Sequence, residues 1–92
     1  MPNPAPYSRE QIAAERYFEE AQLRKADTDI LAGRERLLNQ ERLILELKGT
    51  GTPTGEAERF AALLRETLAE WERHRGLIVE RLDHLNARLG EA

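Results

Sequence analysis

The 92-residue sequence has no cysteine, only five aromatic residues and no long apolar run. Without cysteine it can form neither a disulfide framework nor a thiolate metal site. No stretch reaches the roughly 20 apolar residues that a membrane-spanning helix needs. The opening MPNPAPYS has no basic segment and no apolar core, so it does not match a secretory signal. We therefore expect a cytoplasmic protein that does not associate with a membrane.

Charge is plentiful but evenly spread along the chain. Charged residues make up 34% of the sequence and the net charge is −3. Residues 1–48 contain eight basic and nine acidic groups, and residues 49–92 contain six and eight. Proteins that bind phosphate backbones usually concentrate Lys and Arg on one face, so nucleic acid is not the expected partner. Local arginine groups keep that alternative open: Arg34, Arg36 and Arg42, or Arg73, Arg75, Arg81 and Arg88.

Residues 57–89 contain the most specific pattern of the chain, a row of mostly apolar residues spaced alternately by three and four. The row is Ala57, Ala61, Leu64, Leu68, Trp71, Arg75, Ile78, Leu82, Leu85 and Leu89. This spacing is typical of the seam of a coiled-coil helix. Arg75 is the single charged member.

An earlier stretch without internal proline predicts a first long helix, from about residue 9 to about residue 48. Ser8 can cap its start and Gln11 can complete a capping box. Tyr7 and Ile12 occupy the two positions of a hydrophobic staple. The segment Ala26–Asp29 contains poor mid-helix residues, so a kink or a break there is the alternative to one unbroken helix.

The segment 49–55, GTGTPTG, predicts a connecting loop. Gly49 or Gly51 can close the first helix, and Thr52 or Thr54 can cap the second. No Gly-Lys-Ser/Thr follows, so the segment does not match a phosphate-binding loop. We predict an extended or disordered tail over 1–7 and one domain over 8–90, with helices at about 9–48 and 55–89 and a loop at 49–54.

Two helices joined by a short loop pack antiparallel, so this is an all-α helical hairpin. Residues that face each other should have numbers that sum to about 104. Gly33 then lies opposite Trp71, where a small residue makes room for a large one. Arg75 is predicted to pair with Asp29 or Asp27; the alternative is that Arg75 extends into water.

A second apolar row on the first helix indicates self-association into a dimeric four-helix bundle or coiled coil. This leucine row consists of Leu31, Leu38 and Leu45, spaced by seven. Asp27, Arg34, Glu41 and Lys48 alternate in sign beside it. If two first helices meet antiparallel near Leu38, then Arg34 meets Glu41 and Asp27 meets Lys48. The predicted homodimer interface is Leu31, Arg34, Leu38, Glu41 and Leu45.

Other apolar residues are candidates for binding a protein partner. The first set is Phe60, Leu63 and Leu77 with His74 between them, and the second is Tyr17 with Phe18 at the far end of the hairpin. The alternative is that both sets complete the core of the four-helix bundle. The sequence does not identify the partner.

No pattern predicts chemistry. Glu70 with His74 and Glu80 with His84 have i,i+4 spacing, which allows weak binding of one metal ion, but the pairs are better interpreted as surface neighbours. No nucleophile motif is present. We expect no cofactor, no metal and no catalysis, although an enzyme site built between subunits remains a third alternative. The architecture resembles the helical-hairpin dimers that regulate plasmid RNA, and small helical adaptors or inhibitors encoded by phages and mobile elements. That resemblance implies a small regulator, inhibitor or assembly adaptor.

Overall fold

A computed structural model describes residues 8–90, so the predictions for the tail 1–7 and for Tyr7 lie outside the described residues. Helix α1 spans Arg9–Gly49 and helix α2 spans Gly55–Gly90. The two helices pack side by side, and residues 8–90 contain no strand. The predicted all-α, two-helix hairpin is confirmed. Neither helix is long and apolar enough to cross a membrane.

Helix α1 begins at the predicted capping box. The Gln11 amide donates to Ser8 Oγ at 3.1 Å, and the Ser8 amide donates to Gln11 Oε1 at 2.7 Å. The helix then continues without a break through residues 26–29. The side chains of Thr28 and Asp29 form hydrogen bonds with the preceding turn of the same helix. Thr28 Oγ1 donates to the Arg24 carbonyl, and Asp29 accepts from Lys25. Because these groups have partners on the helix, they do not interrupt it.

The loop between the helices is short and hydrogen-bonded. Of the two glycines considered, Gly51 takes the left-handed conformation, with φ of 73°. The Thr52 amide donates back to the Leu47 carbonyl at 2.9 Å, which satisfies one of the free carbonyls at the end of α1. Thr54 is the residue before α2, and its backbone carbonyl accepts a hydrogen bond from the Glu58 amide at 2.8 Å. Pro53 therefore lies in the loop and not in the first turn of α2.

The core lies along the line where the two helices meet. Its buried members are Ile12, Ile30, Ile44, Ala61, Leu68, Ile78, Leu82 and Leu85. Gly33 is buried between Leu68 and Trp71, as the register predicted, and this contact sets the level of α1 against α2. The molecule is one helix layer thick, with extents of 73 × 23 × 15 Å. Domains usually bury their apolar surface between two or more layers, so both faces of this hairpin are left open.

Candidate interaction surfaces

The line of contact between α1 and α2 divides the hairpin into two broad faces. One face has two grooves, lined by Leu31, Arg34 and Glu72 and by Leu45, Lys48 and Glu58. We call it the ladder face. The opposite face, which we call the histidine face, has grooves that contain His84 near one end and His74 nearer the middle.

The ladder face has a row of ion pairs between the two helices. Arg34 Nη2 lies 2.9 Å from Glu72 Oε1, and Lys48 Nζ lies 3.6 Å from Glu58 Oε1. Arg75 Nε donates to Asp27 Oδ1 at 2.5 Å, which confirms one of the two predicted partners of Arg75. These side chains are about half exposed, so each pair contributes only about 0–1 kcal/mol to stability. We call this row the charge ladder.

The charge ladder changes the interpretation of the heptad charges on α1. Their heptad spacing predicted contacts between two copies, but Asp27, Arg34 and Lys48 all have partners on α2 of the same chain. The alternation of sign is therefore explained within one hairpin and gives no support to an α1–α1 contact. The leucine row is unaffected, since Leu31, Leu38 and Leu45 are 65%, 49% and 69% exposed.

A row of small residues flanks the charge ladder on the α2 side, and the sequence analysis missed it. This small row is Gly55, Ala62, Ala69 and Gly76, spaced by seven. Three members of this row lie one helical turn after residues that line the grooves of the ladder face. Ala62 follows Glu58, Ala69 follows Arg65, and Gly76 follows Glu72. A Cβ placed on Gly76 meets no atom within 4 Å. The ladder face therefore has a leucine ridge on α1 and a shallow strip on α2.

The histidine face contains most of the predicted partner-binding residues. Phe60, Leu63 and Leu77 are all at least half exposed. His74 shares a groove with Trp71 and Asp29. These side chains form two separate apolar patches, because Leu77 lies toward the open end while Phe60 and Leu63 lie toward the loop.

Tyr17 and Phe18, the second predicted set, are both exposed but lie on different faces of the hairpin. Phe18 lines a groove with Leu77 on the histidine face. Successive helix residues are about 100° apart, so Tyr17 points away from that groove. Tyr17 precedes Leu31 by fourteen residues and so continues the line of the leucine row.

A carboxylate that is largely covered by its neighbours occupies the seam near the open end of the hairpin. Glu19 lies seven residues after Ile12 and seven before Ala26, both seam positions, and its side chain is only 12% exposed. Arg81 Nη1 donates to Glu19 Oε1 at 3.0 Å. Glu19 Oε2 is buried without a hydrogen-bond partner in the described part of the chain. Acidic residues are common on this surface, so no sequence signal except the heptad position distinguished Glu19.

Most residues of the predicted arginine groups are engaged by neighbouring side chains. Arg34, Arg73, Arg75 and Arg81 each pair with a carboxylate. Arg42 Nη1 donates to Asn39 Oδ1 at 3.5 Å.

Within residues 8–90 there is no group of three side chains placed to hold a metal ion. The geometry thus offers two broad surfaces with exposed apolar side chains, and four of the seven arginines in the two groups are paired with carboxylates.

No protein-family model, no curated protein and no solved structure matches this chain. The exposed side chains and their geometry are therefore the basis for a functional proposal.

Proposed function

We propose that the protein is a non-enzymatic protein–protein interaction module that acts as a homodimer, as a small regulator, inhibitor or assembly adaptor. The main support is its apolar surface. Among the described residues, nine large apolar side chains are at least 41% exposed, whereas only eight hydrophobic residues are buried. Exposed apolar patches on small proteins mark surfaces that contact other molecules. A hairpin with more exposed than buried large apolar side chains needs a second surface to cover them.

The ladder face is the proposed interface of the homodimer. The leucine row is a continuous ridge on α1, and covering it with a second hairpin gives the two-layer arrangement that most domains use. A cyclic dimer is also the commonest assembly of soluble proteins. The residues proposed at this interface are Leu31, Leu38 and Leu45, with Arg34 and Glu41 beside them.

The histidine face is then proposed as the surface for a protein partner. Phe60 and Leu63 form the patch near the loop, and Leu77 with Phe18 forms the patch near the open end. His74 lies between the two patches. Aromatic and aliphatic side chains of this kind are the usual anchors of a protein interface.

The first experiment measures the solution mass by light scattering after size exclusion, over a range of protein concentrations. A stable mass near twice 10.6 kDa supports the homodimer. A monomer at every concentration overturns it, and would make the leucine row available to another protein.

The partner surface is tested with Leu63→Asp and the control Ala87→Asp, both at exposed positions on α2. We expect Leu63→Asp to abolish recovery of a co-purifying protein while mass and helicity stay unchanged. The control should retain the same protein. Equal recovery by both variants would exclude Leu63 from the partner surface. No observation favours the nucleic-acid alternative, and an absence of RNA or DNA binding at low salt would remove it.

A further inference from the structure

We infer that the second copy docks on the ladder face with its α1 lying along α2 of the first copy, so that the leucine row of each chain fills the small row of the other. The twofold axis then runs parallel to the helices, above the charge ladder. This arrangement specifies the interface of the homodimer in the proposed function and depends on that dimer forming.

Shape complementarity is the first argument. The leucine row and the small row lie on opposite sides of the charge ladder and share a spacing of seven residues. Rotation about an axis parallel to the helices exchanges the two rows without moving either along its length. The axial register between α1 and α2 within one chain is fixed by Gly33, which lies between Leu68 and Trp71. The same register therefore applies between α1 of one copy and α2 of the other. At that level Leu31 falls between Ala69 and Gly76, Leu38 between Ala62 and Ala69, and Leu45 between Gly55 and Ala62.

Charge complementarity is the second argument. Because α1 of one copy lies over α2 of the other, the charge ladder meets a second ladder in which acids and bases are exchanged. Arg34 then faces Glu72 of the second copy, and Lys48 faces Glu58. One heptad beyond the rows, Arg24 continues the leucine row and Asp83 continues the small row. Neither makes an ion pair within residues 8–90, and the docked arrangement brings them together.

Gly76 provides a third argument. Glycine inside a helix is less stable than alanine because it loses more backbone freedom on folding. No contact within residues 8–90 explains Gly76, since a Cβ there would stand in open space. Close approach of Leu31 from the second copy gives this glycine a packing role.

The alternative arrangement, with the two α1 helices antiparallel about Leu38, fits these rows less well. It places one leucine row on the other and turns the two small rows toward each other across a gap. It also sets Arg65 near its own counterpart. Close packing favours large side chains opposite small ones, as in the exchanged arrangement.

Cysteine cross-linking distinguishes the two arrangements, because the chain has no cysteine of its own. Leu38→Cys is mixed in equal amounts with Ala62→Cys or with Ala69→Cys and then oxidised. We expect a disulfide-linked dimer in at least one of these mixtures and no linked product from any single variant alone. Ala87→Cys, on the outer side of α2, serves as the control and should not link to Leu38→Cys.

Each other outcome overturns the inference. If Leu38→Cys links to itself, the α1 helices meet each other. If the variants keep the dimer mass but no mixture links, the geometry is wrong and the homodimer stands. If the wild-type chain is a monomer at every concentration, both the geometry and the homodimer are wrong.

Discussion

Gly33 of α1 lies directly against Leu68 of α2: a Cβ built on Gly33 would stand 2.7 Å from Leu68 Cδ2. Such a distance requires Leu68 to move, and Leu68 is itself buried. The two helices therefore lie close together at this point, where α1 has no side chain. This single contact makes the register of the hairpin testable.

We predict that Gly33→Ala lowers the free energy of unfolding by about 1 kcal/mol. Alanine gains about 1 kcal/mol of helix propensity, but overpacking a core costs about 1–3 kcal/mol. Gly49→Ala is the control, because a Cβ on Gly49 meets nothing within 4 Å and Gly49 lies outside the small row; it should raise the free energy of unfolding by at most about 1 kcal/mol. Urea unfolding at one protein concentration measures both. If Gly33→Ala instead raises the free energy of unfolding by about 1 kcal/mol, the full helix-propensity difference, the close approach to Leu68 is contradicted.

Arg75→Leu should stabilise the hairpin by about 1 kcal/mol. Arg75 occupies a seam position, and its pair with Asp27 is partly exposed, so the pair is worth only about 0–1 kcal/mol. Burying a leucine there adds about 1.5–3 kcal/mol when burial is complete, and less at this half-open site. Thermal and urea unfolding give the change. A clear loss of stability would mean that the Arg75–Asp27 pair holds the hairpin together.

Glu19→Met should also stabilise the protein, by about 1–2 kcal/mol. Glu19 is 12% exposed and its Oε2 has no hydrogen-bond partner within residues 8–90, and a buried polar atom without a partner costs about 1–3 kcal/mol. The Arg81 side chain is 55% exposed, so water solvates it when the carboxylate is removed. The neighbouring Glu20→Met is the control, because the Glu20 side chain is much more exposed, and it should change stability by less than about 0.5 kcal/mol. If Glu19→Met lowers the free energy of unfolding, the hydrogen bond from Arg81 stabilises the protein by more than the desolvation of the Glu19 carboxylate costs.

Ala62→Leu tests the small row without adding charge. The new side chain would fill the space that Leu38 and Leu45 of the second copy occupy, so we expect the dimer dissociation constant to rise at least tenfold. Sedimentation equilibrium measures this constant. Ala87→Leu makes the same change at another exposed position of α2 and should leave the constant unaltered. Unchanged association of Ala62→Leu would exclude the small row from the interface.

Local patterns in the sequence were sufficient for the hairpin. The seam spacing in residues 57–89, the capping box at Ser8 and the glycine-rich loop each depend on neighbours a few residues away. The register followed from the short loop, because facing residues must then have numbers that sum to about 104, and the contact of Gly33 with Trp71 agrees with it. The pairing of Arg75 with Asp27 followed from that register.

The surfaces were harder to predict, for physical reasons. Heptad charges such as Arg34 can face a partner helix in the same chain or in another, and periodicity is the same in both cases. The small row has no hydrophobic signal, so a search for apolar stripes does not find it. Tyr17 and Phe18 are adjacent in sequence, but one residue of helical rotation moves them to different faces. Glu19 resembles the other surface acids until its seam position is recognised.

The arrangement of the hairpin has a mechanical consequence. Arg9 Nη1 donates to the Leu89 carbonyl at 3.1 Å, so the start of α1 and the end of α2 lie together, far from the loop. A force that pulls these two ends apart loads one layer of the seam at a time, beginning with the polar layers around Arg16 and Glu19. The helices would therefore unzip progressively toward the loop at low force, whereas sliding them past each other would have to break every layer at once.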